Sequence, residues 1–299
     1  MTALVSAFAR WYHTAHNTVK VFSDDLAYSM LSEQERAGIA ANMGKGIGFF
    51  NPDFMGTEEE ALRWVVDNQL SPSPLGRASF CEQQLRNAVY TGTRQYIIMA
   101  AGYDTFAYRQ PPWAAALQII EMDHPATACD KQKRLAAAKI DVPANVTYVA
   151  ADFASGPWHT ALTECSKFDK SKITFCSLLG IAYYLTAEQF VDILRTLSSI
   201  LPKGSALVFD YPDQDSYTDR AGGRAKKQAM LAGAANEKML ASYAFSEIEA
   251  LLAANGFLAY EHLTPDEITS QYFDAYNKAN PTHQMTAFDN VNYCLAVKQ

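Results

Sequence analysis

Residues 95–123, QYIIMAAGYDTFAYRQPPWAAALQIIEMD, decide how the chain is read. One apolar run (Tyr96, Ile97, Ile98, Met99, Ala100) ends in small residues and Gly102. A second (Leu117, Gln118, Ile119, Ile120) ends in two acids, Glu121 and Asp123. Strand, glycine turn, crossover, strand and acid is how an α/β sheet builds a nucleoside pocket. The glycine lets the backbone approach the ligand, and a carboxylate about 20 residues later accepts the ribose hydroxyls. Here the acids lie 19 and 21 residues beyond Gly102. They stand two apart and so on one side of the strand, with Asp123 the first choice for a ribose and Glu121 the second. A solvated strand end is the plainer alternative.

The turn itself discriminates between nucleosides. A nicotinamide site wants GxGxxG, because several glycines and a helix N-terminus must accommodate a pyrophosphate. Ala100-Ala101-Gly102-Tyr103-Asp104 offers one glycine, then a bulky ring and an acid. These crowd and repel a pyrophosphate but suit S-adenosylmethionine, which has no phosphate and carries a sulfonium and an ammonium.

Outward from this stretch the chain divides into zones. Residues 94–299 alternate strand and helix patterns, with strands expected at 95–101, 117–123, 146–151, 172–178 and 205–211. Near-continuous apolar strands separated by helices imply a parallel sheet covered on both faces. The runs at 257–263 and 290–298 have no helix between them long enough for a parallel crossover, so they are expected to pair antiparallel at the sheet's end. The expected fold is thus a seven-stranded, Rossmann-like α/β sheet, the outline of a class I methyltransferase more than of a nicotinamide-binding domain. Residues 1–93 read as helical and as a lid on that core: FSDDLAYSML, SEQERAGIAANM, TEEEALRWVVDNQL and ASFCEQQLRNAVY have helical apolar spacing. Ser32 with Glu35 and Thr57 with Glu60 have capping-box spacing. SPSPLG (71–76) reads as a turn-rich connector, and Gly44–Gly48 as a flexible turn.

Composition limits the function classes. The 299 residues are 49% hydrophobic and 19% charged, with formal net charge −7 and no basic block, against nucleic acid as a partner. No apolar run approaches the roughly 20 residues a membrane span needs, and residues 1–17 lack a signal-peptide pattern. Five scattered cysteines without CxxC fit reduced thiols and a cytoplasmic protein. Oligomeric state is left open.

Further candidates follow the strands. Asp152, ending the third strand, is placed to bond an adenine amino group, with Phe153 covering the ring; capping a helix that begins near Gly156 is an equal reading. Arg77, at a helix start where the dipole disfavours a cation, suits a ligand carboxylate. Tyr183 and Tyr184 follow the fourth strand, where an acceptor can be positioned. Ser177 has no GxSxG context, excluding a hydrolase elbow, and is grouped with the cofactor-facing residues. His13 and His16 lack a third ligand, so no metal site is expected.

Together these segments resemble the leucine carboxyl methyltransferase family, including its bacterial O-methyltransferase branch related to tetracenomycin-type polyketide enzymes. VKVFSDDLAYSML is similar to its D-x-x-A segment and LGRASFCEQQLRNAV to its arginine helix. IIMAAGYDTFAYR resembles G-A-G-x-D-T-x-x-x-R, with Ala100 for the first glycine. IIEMDHPATACDKQKRL resembles E-x-D-x-P, and AYYLTAEQFVDILRTLSSILPKGSALVFDY its M-Y-L-T segment through the fifth strand. The likeness covers most of residues 20–211. It implies S-adenosylmethionine as cofactor. Arg77 would hold the methionine carboxylate, Gly102 (with Ala100, Ala101 and Asp104 around it) would back the sulfonium, Asp123 the ribose, and Asp152 with Phe153 the adenine. Leu179 stands where the family usually has a glutamate. The reaction implied is O-methylation of a carboxylate or hydroxyl on a small molecule or peptide. An NAD(P)-binding oxidoreductase and a non-catalytic S-adenosylmethionine-binding protein are the competing readings.

Overall fold

The apolar runs form the strands β1 (Gln95–Met99), β2 (Gln118–Asp123), β3 (Val146–Ala150), β4 (Thr174–Leu178) and β5 (Ala206–Pro212), all paired in parallel; β1, β4 and β5 are buried throughout, and the edge strand β3 is partly exposed. β6 (Phe257–Leu263) and β7 (Val291–Lys298) pair antiparallel to each other, and β7 runs antiparallel to β5. The computed structural model describes residues 2–153, 158–234, 239 and 241–299. Its single sheet has the order β3-β2-β1-β4-β5-β7-β6, the expected five parallel strands with a terminal antiparallel pair.

The helices in chain order are α1 (Thr2–His16), α2 (Glu33–Lys45), α3 (Ile47–Phe50), α4 (Glu58–Val65), α5 (Pro72–Tyr90), α6 (Pro125–Ala137), α7 (Trp158–Glu164), α8 (Ala187–Ile200), α9 (Gly223–Ala234), α10 (Phe245–Ala254), α11 (Pro265–Ile268) and α12 (Asp274–Ala279). Both expected capping boxes form, at Ser32 and Thr57. Three local expectations are corrected. SPSPLG is no connector: α5 begins at Pro72, since proline in a first turn lacks only an N–H that has no helical partner anyway. A π-helical turn, Val66–Leu70, carries α4 almost directly into it. Gly44–Gly48 is mostly helical, straddling α2 and α3. FSDDLAYSML forms only a short 3₁₀ turn at Ala27–Met30, and the buried Asp24 before it accepts from the Ala27 N–H.

Alternate residues of each strand sort to opposite faces. Ile97, Met99, Ile120, Met122, Leu178 and Phe209 face α7, α8 and α10. Tyr96, Ile98, Ile119, Phe175 and Val208 face α5 through Leu75, Phe80 and Leu85. A smaller cluster around Phe8, Met30, Val66 and Leu135 ties α1 to the π-helical turn and to α6.

Ala100 adopts φ +53°, the left-handed region. That costs a non-glycine residue about 1–2 kcal/mol, part of which glycine returns through its freer unfolded chain. Ala100→Gly is therefore expected to stabilise the fold by about 0.5–1 kcal/mol, read as a higher urea midpoint at unchanged slope. A lower midpoint would show that packing of the Ala100 methyl outweighs the backbone strain.

Candidate functional site

The winding of the sheet reverses between β1 and β4, so the C-terminal ends of β1, β2, β4 and β5 meet at one edge, where open α/β sheets bind ligands. Beyond β1, the Ala101 N–H donates to Met122 O (3.0 Å) and the Asp104 N–H to Ala101 O (2.8 Å). The chain turns through Gly102 at φ +49°. Asp123, last in β2, accepts from the N–H groups of Gly102 (2.5 Å) and His124 (2.6 Å). One partly exposed carboxylate thus holds the glycine turn. A Cβ on Gly102 would lie 3.5 Å from the Ala3 Cβ, so the first turn of α1 covers this point. Asp104 accepts from the Phe106 N–H (2.8 Å) and so shapes the loop.

Glu121 requires a correction. Two residues earlier in β2 than Asp123, it is deep in the layer: its carboxylate accepts from Lys131 Nζ and from the Tyr108 hydroxyl, each at 2.8 Å. Burial pushes its carboxyl up, although Lys131 and Tyr108 pull the other way. Glu121 is buried and paired internally with Lys131, whereas Asp123 stays partly exposed at the ligand edge. Ser177 is likewise corrected. Strand alternation turns it into the layer under α5, fully buried, with its hydroxyl 3.0 Å from that of Tyr96.

Arg77, near the start of α5, lies against the ends of β4 and β5. Its Nη1 is 3.5 Å from Asp210 Oδ2. Asp210 also accepts from the Gly180 N–H (2.6 Å) and the Tyr183 hydroxyl (2.8 Å). Gly180 is at φ +69°, and a Cβ there would come within 2.3 Å of Arg77 Nη1. Glycine at this position is what leaves the guanidinium its seat. Burial alone would lower the Arg77 pKa, but Asp210 and the tyrosine hydroxyls around it carry it above its ordinary value. Among the described residues this long contact leaves most of a five-donor fork for something else. Tyr183 is buried, and its hydroxyl is pushed well above its usual range by burial and by Asp210. Tyr184, half-buried, has its ring 6.3 Å from that of Tyr183. Leu179 packs against the α5 layer.

On the β3 side, Phe153 is buried with its ring 5.4 Å from Trp158, and Asp152 is half-buried beside it. A cavity of about 650 Å³ borders Phe153, Trp158 and the start of α8. The helix start expected near Gly156 lies outside the described residues.

A charged network fastens α1 over the glycine turn. Asp24, fully buried, accepts from Arg10 Nε (2.8 Å), the Thr105 hydroxyl (2.6 Å) and the Ala27 N–H (3.1 Å). Arg10 also donates to Tyr103 O (2.7 Å), and Arg109 lies 3.6 Å from Asp24 while bonding Glu82. Burial would raise the Asp24 carboxyl, but Arg10, Arg109 and Thr105 hold it below its ordinary value. His13 is a buried acceptor from the Val21 N–H (2.9 Å), its pKa lowered to about 4 by burial, and so is neutral. No group of three or more metal-ligating side chains occurs among the described residues, and the cysteines are unpaired.

Sequence reasoning did not single out Asp210, Lys131 or Arg10. A signal was available for Asp210, the one acid inside the apolar run SALVFDY.

A model of the leucine carboxyl methyltransferase family matches residues 3–198. A relative in Bacillus subtilis (strain 168), named "Putative S-adenosyl-L-methionine-dependent methyltransferase YktD", is 38% identical over 304 aligned positions, covering 100% of this chain and 98% of that protein. Rv3399 of Mycobacterium tuberculosis, whose name specifies the same kind of enzyme, is 33% identical over 51% of this chain and 43% of its own length. Among solved structures, a DUF574 family protein from Streptomyces avermitilis superposes with TM-score 0.58 at 16% identity, over 98% of this chain and 97% of that one. A protein from Thermobifida fusca described as a methyltransferase superposes with TM-score 0.56 at 14% identity, over 90% and 100%. At such identities the superpositions speak for the fold alone.

Proposed function

The chain belongs to the leucine carboxyl methyltransferase family, and on that premise we propose that it transfers a methyl group from S-adenosylmethionine to an oxygen of its acceptor. It is an S-adenosylmethionine-dependent methyltransferase with the class I fold. The observation that carries the site reading is the Arg77–Gly180–Asp210 cradle, on the same sheet edge as the Gly102–Asp123 turn. A guanidinium with spare donors and a partly exposed carboxylate at a glycine turn are what an amino-acid-bearing nucleoside needs. Arg77 is assigned the methionine carboxylate, and Ala100, Ala101 and Gly102 the backbone behind the sulfonium. Asp123 is assigned the ribose, and Asp152 with Phe153 the adenine.

When bound, the cofactor supplies a sulfonium methyl that an acceptor oxygen attacks in line as the sulfur leaves. The protein's work is to align the partners and exclude water. Helix α1 over Gly102 shields one side, and helices α1–α4 with the described part of segment 212–250 are assigned the acceptor lid; residues 235–238 and 240 of that segment lie outside the described residues. Proton removal is a different matter. Asp210 is occupied by Gly180, Tyr183 and Arg77, and the Tyr183 hydroxyl holds its proton at neutral pH. A carboxylate acceptor needs no base, whereas a hydroxyl benefits from one; carboxylates are the favoured class.

Binding of labelled S-adenosylmethionine tests the assignments. Asp123→Ala and Arg77→Ala are each expected to weaken it by about 10- to 100-fold, the worth of charged hydrogen bonds lost from a shielded site. Unchanged affinity in both variants would sink the site. Release of S-adenosylhomocysteine across carboxylic and phenolic metabolites then identifies the acceptor.

A further inference from the structure

A second cavity, of about 400 Å³, opens where the N-terminal helices meet α9 and the segment before β7. Phe50, Trp64 and Asn68 line it from one side, and Arg224, Lys227 and Asp289 from the other. Its volume is in the range of small-molecule sites.

The two cations do different work. Arg224 joins the walls: it bonds Asp289 through Nε (2.8 Å) and reaches the carbonyl oxygens of Asn68 and Thr286, each at 3.2 Å. That side is itself tightly packed, since a Cβ on Gly222 would come within 2.3 Å of Asp289 Oδ2. Arg224 is therefore consumed in holding the cavity open to a fixed shape. Lys227 follows three residues later on the same helical face. Its Nζ donates to Phe50 O (2.6 Å) and lies 5.9 Å from the centre of the Phe49 ring. It forms no ion pair with a carboxylate among the described residues, although the chain's net charge is −7. An ammonium has three donors, so this one faces a cavity with capacity for an anion beside the aromatic surfaces of Trp64 and Phe50.

The cavity also lies beyond the ligand edge of the sheet. Val291, two residues after Asp289, pairs with Pro212, two residues after Asp210. Asn68 precedes Arg77 by nine residues of nearly continuous helix, roughly 13 Å at 1.5 Å per residue. An acceptor of about that length would span the two.

We propose that this cavity recognises an anionic group on a flat aromatic acceptor, at the end remote from the methylated oxygen. Lys227 pairs with the charge, and Trp64 and Phe50 contact the ring. The assignment rests on the methyl-transfer reading only in calling the ligand an acceptor; the binding is measurable without turnover.

The probes are anilinonaphthalene sulfonate and phenylnaphthylamine, the same ring system without the charge, titrated by fluorescence into the full chain. The sulfonate is expected to bind more tightly than the neutral probe. Lys227→Gln should weaken the sulfonate about tenfold or more, the weight of one charge-assisted hydrogen bond, and leave the neutral probe and S-adenosylmethionine within about twofold of wild type. Lys227→Arg should keep most of the sulfonate affinity. Wild-type sulfonate affinity in Lys227→Gln, or equal losses for both probes, overturns the proposal. Failure of the wild-type chain to bind S-adenosylmethionine overturns the methyl-transfer reading instead, while the probe ratio still decides this one.

Discussion

Asp210→Ala is expected to destabilise the fold by about 3 kcal/mol or more and to weaken S-adenosylmethionine binding as strongly as loss of Arg77 does. The carboxylate is fully buried and serves three donors: the Gly180 N–H, the Tyr183 hydroxyl and the Arg77 guanidinium. Removing it strands a mostly buried cation, a buried hydroxyl and a partly buried N–H, and breaking a buried pair from one side costs about 3–5 kcal/mol. The lower end applies, because the contact to Arg77 is long at 3.5 Å and the Arg77 side chain keeps 18% of its surface exposed. Total stability of a domain is only about 5–15 kcal/mol, so Asp210→Asn is the more informative variant. Its amide oxygen still accepts from Tyr183 or Gly180, leaving chiefly the charge deficit beside Arg77. A smaller drop in the urea midpoint is expected, with cofactor affinity still reduced. A folded Asp210→Asn with wild-type affinity would show that Arg77 needs no help from β5 to hold its position.

Asp210 also marks where the sequence stops being legible. The strands were readable because β1, β2, β4 and β5 are apolar on both faces, so each run and its end stood out against polar surroundings. Gly102 and Asp123 were readable because a turn and an acid 21 residues apart follow from the crossover itself, and the structure joins them by a direct hydrogen bond. Arg77 and Asp210 lie 133 residues apart, on a helix and a strand whose adjacency no local pattern encodes. The pair Glu121 and Asp123 shows the limit from the other side. Strand periodicity put both on one face, but two residues of strand, about 6.6 Å, separate the sheet's edge from its interior. Lys131, supplied by α6, then neutralises the inner acid. Grouping Ser177 with the cofactor-facing residues had no such pattern behind it, and strand alternation turns it under α5 and away from the ligand edge. The prolines of SPSPLG misled for a different reason: a residue type that ends helices also starts them.

The second large effect is expected at Asp24, which binds α1 to the core. Asp24→Ala should cost about 3–5 kcal/mol, since Arg10, which has 10% of its side-chain surface exposed, and Arg109 lose a shared counter-charge and Thr105 loses its acceptor. The pH dependence gives this prediction a second reading. Arg10 and Arg109 hold the Asp24 carboxyl below its ordinary value against the opposing effect of burial. A depressed carboxylate contributes stability that is fully present above the unfolded value, about 3.9, and that is lost as pH falls through the folded value. The stability gap between wild type and Asp24→Asn should therefore be widest at neutral pH and should close as pH drops below about 4. Glu82 titrates in the opposite sense, its carboxyl raised by burial although Arg109 pulls it down. Asp24 itself adds to that rise, so in Asp24→Asn the Glu82 carboxyl loses one upward push, and the difference carries this smaller change of the opposite sense beside the Asp24 effect. Because Ala3 of α1 lies over Gly102 and Arg10 bonds Tyr103 O, loosening this anchor should also speed amide exchange in residues 2–16 and weaken cofactor binding, while the protection of β1 and β4 persists. A stability gap that is the same at neutral pH and below 4 would refute the charged anchor. Faster exchange spread evenly over the sheet would instead identify Asp24 as a general support of the core, with no special hold on α1.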